Sequence, residues 1–406
     1  MPTLDDARAA AAALRQVMEP TPCQLSDYLS GLYGAEVWLK REDLSPVRSY
    51  KLRGAWTAMR QAGTDRFVCA SAGNHAQGVA WSAARMGTRA TIFMPVTTPR
   101  QKIDKTLAFG GEAVTVEAFG DTVDQTLGRA REFAEVTGAH FLSPFDDDHV
   151  IEGQASVALE MLQQMPEPDM IVLPVGGGGL SAGTSLVLSA LAPSAELHLV
   201  EPAGGASLAA ALSAGRPVLL DRLDTFVDGA AVGRIGERPF LQLRDHPARL
   251  LHTVPEDRLC ETILRMLNVE GIVLEPAGAL SVDALKDLDL AGRRVCVVTT
   301  GGNFDFERLP EIRERAQRFG GLKRYYLLRL PQRPGALRDF LGVLGPDDDI
   351  ARFEYLKKSA RNFGTVLLGI ESNAPENLDA LEARAGAGGF ELRDITGDET
   401  VASFVV

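Results

Sequence analysis

The sequence predicts an α/β fold followed by a small α+β module, and three observations predict it. Short apolar runs alternate with longer stretches of helical period, the pattern of a parallel sheet covered by helices. Glycine-rich clusters recur just past several of those runs, where open α/β sheets collect their ligands. The alternation then changes character after Gly320-Gly321.

In chain order the strand candidates are Val37–Leu39, Phe67–Ala70, Ala90–Phe93, Val114–Val116, Met170–Val175, Leu197–Val200 and Val295–Thr299. Helical period fills Leu52–Arg60, Gln77–Met86, Thr122–Val136 and Gly153–Met165 between them. Ser71 to His75, Gly176 to Gly179 and Thr300 to Asn303 fall at the carboxyl ends of predicted strands. Past Gly321, Tyr325–Leu330 alternates as a strand does, and Pro331 to Gly335 is a turn. Ala336–Leu344 reads as a helix, Ile350–Leu356 and Thr365–Ile370 as strands, Leu378–Ala385 as a helix and Val401–Val406 as a last strand. A β-α-β-β order of this kind predicts a ferredoxin-like module, with the boundary near Gly320–Leu322.

The 406 residues suit two to three domains of roughly 100–200 residues each. With 45% apolar and 24% charged residues the composition is that of an ordinary soluble protein. A net charge of −12 argues against nucleic acid or an anionic membrane as partner, since both reward basic surfaces. No apolar run reaches the roughly 18–20 residues that a membrane span needs. The Ala-rich start, Met1 to Ala13, lacks a basic leader and cleavage site, so a cytoplasmic protein is expected. Cys69 and Cys296 lie in apolar strand-like segments and read as buried reduced thiols.

Lys51 precedes a helix whose apolar face is Leu52, Ala55, Trp56 and Met59. A lysine there is either a surface residue or a buried amine suited to Schiff-base chemistry, and its own motif does not choose. Gly176-Gly177-Gly178-Gly179-Leu180 lies between an apolar strand and a helix, a geometry that points backbone N–H groups at a phosphate. One glycine would serve a tight turn, so four favour an anion cradle. The run lacks the Lys-Ser/Thr of a P-loop and the last glycine of the dinucleotide fingerprint, so a phosphate without a nucleotide is the better match. In Ser71-Ala72-Gly73-Asn74-His75 small residues leave N–H groups open to a carboxylate, and Asn74 offers donor and acceptor. His75 reads first as a structural histidine. Thr300 either meets a ring nitrogen or caps the next turn. A lysine, a phosphate cradle, a carboxylate loop and a hydroxyl are together what a pyridoxal-phosphate (PLP) enzyme acting on an amino acid requires.

At this point a family match becomes specific. Lys40 to Pro46 followed by Ser49-Tyr50-Lys51-Leu52-Arg53-Gly54 resembles the signature of the serine/threonine dehydratases of PLP fold type II. So do Ser71–Gly78, Ile151–Gln154, Pro174–Leu180, Glu275–Ala279 and Thr300–Asn303. The resemblance implies a two-lobed, tryptophan synthase β-like catalytic domain over 1–320, with a small lobe at about 48–147 inserted in the large one. The tail, 322–406, resembles the ACT-like regulatory domain of biosynthetic threonine dehydratases, present once.

That resemblance implies a threonine ammonia-lyase of isoleucine biosynthesis that converts L-threonine to 2-oxobutanoate and ammonia. Lys51 would be the Schiff-base lysine and the base for the α-proton. Gly176, Gly177, Gly178, Gly179 and Leu180 would hold the cofactor phosphate, and Asn74 the pyridine hydroxyl. Thr300 would face the ring nitrogen, and Ser71, Ala72, Gly73, Asn74 and His75 would seat the substrate carboxylate. For the leaving hydroxide the family implies the cofactor phosphate as acid, with His75 the second candidate. Isoleucine, and valine beside it, would be effectors at the tail, in a homo-oligomer of four subunits. A serine dehydratase or a racemase would share every catalytic motif, and the end-product-sensing tail argues against both. A non-catalytic amino-acid sensor is the reading of another class.

Overall fold

Met170-Ile171-Val172-Leu173-Pro174 has no polar face, which suits a strand covered on both sides, and all five residues are buried. A computed structural model of the chain describes residues 1–356 and 362–398. It places that strand inside a six-stranded sheet, in the order Cys23–Leu25, Glu36–Arg41, Arg294–Thr299, Met170–Pro174, Glu196–Pro202, Leu251–Val254. The first strand is antiparallel at the edge and the other five are parallel. Val295 faces Val37 on one side and Met170 on the other.

Between Arg41 and Met170 the chain builds a second, parallel sheet, in the order Val114–Ala118, Arg89–Met94, Arg66–Ala70, His140–Phe141. Helices Asn74–Met86, Arg100–Gly110 and Val123–Thr137 connect its strands. Phe67, Cys69, Val79, Ile92 and Val114 fill the core on one face. The α/β class is therefore as predicted. The strands Cys23–Leu25, His140–Phe141 and Leu251–Val254 were not legible, because two to four residues carry too little period. Two helices begin earlier than their apolar period does. Asp148–Gln164 starts where the Asp147 carboxylate accepts from the Val150 N–H at 3.0 Å, a local cap that periodicity does not register. Asn74–Met86 starts at the loop that ends the Arg66–Ala70 strand.

The chain divides into two compact units, Met1–Glu256 with Arg265–Phe304, and Asp257–Leu264 with Asp305–Val406. In the second, four antiparallel strands run Asp349–Leu356, Phe363–Glu371, Lys323–Pro331, Glu391–Asp394. Helices Ala336–Leu341 and Pro375–Ala387 complete a β-α-β-β-α-β chain order. Tyr326, Leu328, Phe340, Leu368, Ile370 and Leu381 make the core. The fourth strand is Glu391–Asp394, and the strand expected at Val401–Val406 lies outside the described residues. Among the described residues no helix is long and apolar enough to cross a membrane.

Candidate active site

Lys51 opens the helix Lys51–Gln61, whose residues Leu52 to Met59 are all buried. The helix is thus fixed by its body, and its first side chain projects from a rigid base. Lys51 is half-buried, and Nζ donates to the Pro144 carbonyl at 2.9 Å. It lies 5.2 Å from the Tyr50 ring centroid and 6.0 Å from that of Phe145. Burial pushes its pKa down to about 8, against the opposing pull of Glu275. Roughly a tenth of such amines are neutral at pH 7, against about one in a few thousand for an ordinary lysine. Lys51 is thus partly withdrawn from water and of lowered basicity, the environment that Schiff-base chemistry uses.

The glycine run closes on the same spot. Residues 175–178, Val175 and three glycines, link the strand Met170–Pro174 to the helix Gly179–Leu191, which has no side-chain cap at its start. A methyl group on Gly177 would lie 2.1 Å from the Phe145 ring. Pro144-Phe145 therefore joins the two features, its carbonyl holding the lysine and its ring packing the glycines. One turn into the helix, Ser181 has a buried Oγ with no hydrogen-bond partner. Unengaged N–H groups, a positive helix end and a spare hydroxyl together favour an anion.

The Ser71 loop arrives from the other sheet. Its helix, Asn74–Met86, crosses so close that a methyl on Gly78 would meet the carbonyl carbon of Lys51 at 3.2 Å. Ser71 Oγ accepts from the Gly73 N–H at 3.2 Å, and Ser71 to Asn74 are half-buried. His75 turns inward instead, with Nε2 3.2 Å from the Leu142 carbonyl. Burial, with Lys51 adding to it, pushes its pKa down to about 3, so the ring is neutral. Thr300 is buried directly beside the lysine segment: its carbonyl accepts from the Tyr50 N–H at 3.2 Å. Its hydroxyl makes only a long contact, 3.4 Å, to the Ala277 carbonyl.

Glu275 is the residue that motif reasoning passed over as a site group. Asn74 Nδ2 donates to its Oε1 at 2.6 Å, and Asn74 Oδ1 accepts from Asn303 Nδ2 at 2.6 Å. Burial pushes the carboxyl up to about 7, with Asp228 adding to the shift. A signal was present: Glu275 is the one charge in Gly271 to Leu280, an otherwise apolar stretch, and a buried lone carboxylate needs a reason. Phe145 carried no sequence signal.

A weakly basic amine, an amide, a buried hydroxyl and an uncapped glycine-helix start fit pyridoxal phosphate, whose aldehyde, ring hydroxyl, ring nitrogen and phosphate ask for those donors. Gly177→Ala is expected to drive its methyl into Phe145 and weaken cofactor binding about tenfold or more, with the fold retained. Titration of the apoprotein with pyridoxal phosphate measures this, and an unchanged affinity would mean that the loop is only a turn.

Residues 14–301 match the family described as pyridoxal-phosphate dependent enzyme, and residues 314–405 match the C-terminal regulatory domain of threonine dehydratase. The chain is 45% identical over 387 residues to the L-threonine dehydratase biosynthetic IlvA of Mycobacterium leprae, spanning 93% of this chain and 91% of that one. Identity is 40% over 412 residues with the protein of the same name from Halalkalibacterium halodurans, spanning 99% of each. The structure of the processed form of threonine deaminase isoform 2 from Solanum lycopersicum superposes with a TM-score of 0.72 at 33% identity, covering 77% of this chain and 93% of that one. The chain belongs to the pyridoxal-phosphate dependent enzymes and, among them, to the family of the biosynthetic threonine dehydratases.

Proposed function

We infer that this chain is an L-threonine dehydratase, releasing 2-oxobutanoate and ammonia, and that its C-terminal module senses an amino acid. The observation that carries the reading is Lys51, a lysine of lowered basicity held 2.9 Å from the Pro144 carbonyl beside an uncapped glycine-helix start. When bound, pyridoxal phosphate supplies an electron sink for the substrate's α-carbon. Lys51 Nζ would anchor the cofactor and would be the base for the α-proton. Backbone N–H groups of Gly176 to Leu180 bind the phosphate. Asn74 would orient the ring through its hydroxyl, and Thr300 Oγ1 would be the partner of the ring nitrogen. Thr300, a neutral hydroxyl, would offer that nitrogen a hydrogen bond without a compensating charge. The N–H groups of Ser71 to His75 seat the substrate carboxylate. His75 is neutral and turned to Leu142, so the departing hydroxide draws its proton from another group.

We propose the catalytic part at 1–320, with its small lobe at about 48–147, and the regulatory module at 322–406. Isoleucine is the effector proposed, acting in a cytoplasmic tetramer. Initial rates on threonine and serine, each with and without isoleucine or valine, test the whole reading. A clear preference for threonine and a raised threonine requirement with isoleucine are expected. Preference for serine, or racemisation faster than elimination, would overturn the substrate assignment; indifference to both effectors would overturn the sensor.

A further inference from the structure

Asn74 is held by a chain of side chains that reaches out of the site. Lys105 Nζ donates to Asn303 Oδ1, and Asn303 Nδ2 donates both to the Val47 carbonyl at 2.9 Å and to Asn74 Oδ1 at 2.6 Å. Asn74 Nδ2 then donates to Glu275 Oε1 at 2.6 Å. One end of this chain, the lysine, is chemically one-directional. The Lys105 ammonium has donors only and so fixes Asn303 Oδ1 as acceptor, while the Glu275 carboxyl, pushed up to about 7, both accepts and donates; an amide turned over presents nearly the same shape with donor and acceptor exchanged. The orientation of both amides therefore depends on their neighbours.

The chain also spans the two sheets. Lys105 lies on the helix Arg100–Gly110 of the four-stranded sheet, as does Lys102, which pairs with Asp228 at 2.6 Å. Asn303 and Glu275 belong to loops around the six-stranded sheet. Lys105 is half-buried, so its hydrogen bond is poorly matched by water.

We propose that Lys105 is a positioning residue for the active site, holding Asn303 and, through it, the amide of Asn74 in the orientation that bonds Glu275. The proposal rests on the cofactor-orienting role of Asn74 given above. Lys105 acts at a distance of two side chains and touches no reacting atom. Its removal leaves Asn303 Oδ1 without its ionic donor and lets the Asn74 amide turn over. Hydrogen bonds to charged groups are the stronger kind, so the effect on cofactor placement is large enough to read.

The test is a cycle of variants on the intact chain. Lys105→Met is expected to weaken pyridoxal phosphate binding to the apoprotein about tenfold and to lower kcat more than it raises the threonine KM. Lys105→Arg, which keeps a donor-only cation, restores most of both. In an Asn74→Ala background Lys105→Met has little further effect, because the group it orients is gone. Lys102→Met, on the same helix, removes a tie between the sheets without touching an amide, and it couples to Asn74→Ala less than Lys105→Met does. Lys105→Met that binds cofactor as the unaltered chain does, or that adds in full to Asn74→Ala, overturns the proposal. Should Lys105→Met unfold, Asn303→Leu in the same cycle decides by the same criteria. If the unaltered chain binds no pyridoxal phosphate, the functional reading fails and this inference with it. If it binds cofactor and consumes threonine, only the variants speak to Lys105.

Discussion

Lys51→Ala is expected to abolish threonine turnover, by at least roughly the 10²–10⁴-fold that one acid–base group contributes. The same change removes the covalent anchor, so a band at about 410–420 nm from the bound cofactor should disappear with it. Arginine will not substitute, because a guanidinium stays protonated and offers no nucleophilic pair. Pro144 loses its donor, but a loop carbonyl regains water readily, so the folded state should persist. The pH dependence gives a second reading of the same side chain. Only the neutral amine attacks the aldehyde, so cofactor uptake by the apoprotein should rise about tenfold per unit and level off near pH 8, where the buried amine titrates. Folding lowers the pKa from the model-peptide value of 10.5 to about 8. A stability penalty is therefore fully present below about pH 8 and is relieved as pH climbs to 10.5, since only the unfolded chain holds the proton across that window. Stopped-flow absorbance of the apoprotein mixed with cofactor at pH 6, 7, 8 and 9 checks the uptake. A flat profile would mean that Lys51 is not the anchoring amine.

What the sequence disclosed follows from the range over which each signal acts. The glycine run was legible because Gly176 to Gly179 sit beside a strand without a polar residue, and both facts are local. The β-α-β-β pattern of the tail was legible for the same reason. Lys51 was not legible from its own segment: a lysine before an amphipathic helix looks alike whether its head is wet or dry. Its environment comes from Pro144 and Phe145, which are 93 residues away by the hydrogen bond alone. Asn74 and Glu275 are 201 residues apart, and Lys105 and Asn303 are 198 apart. No periodicity reports pairs of that separation. Glu275 was the exception that could have been found, since an isolated charge in an apolar run announces burial.

Arg53 stands two residues after Lys51, on the same helix, and its replacement by methionine is expected to cost about 3–5 kcal/mol. The side chain is fully buried. Its Nε and Nη2 donate to the two oxygens of Glu42, each at 2.8 Å. Its Nη1 and Nη2 donate to the two oxygens of Glu160, each at 2.7 Å. Ser156 and Thr21 hydroxyls accept at 2.9 and 3.1 Å. Among the described residues the other cation in contact is Lys40, 2.6 Å from Glu160 and 3.9 Å from Glu42. Two carboxylates are thus balanced by two cations in a buried place, and removing one cation leaves a net buried negative charge. That cost is a large share of a total stability of about 5–15 kcal/mol, so the melting temperature should fall by roughly five to eight degrees. Arg53→Lys should recover little, because one ammonium cannot fork across two carboxylates. Converting Lys40, Glu42, Arg53 and Glu160 together to apolar residues of similar volume should recover much more, since no charge is then left unpaired. Thermal unfolding of the apoprotein and of the cofactor-bound protein measures each variant, and a loss of only a degree or two for Arg53→Met would show that water reaches the network. The network also bears on catalysis. It pins the first turn of the helix that presents Lys51 to the strand of Lys40 and the helix of Glu160, so a variant that survives folding should still lose turnover as the lysine drifts from Pro144.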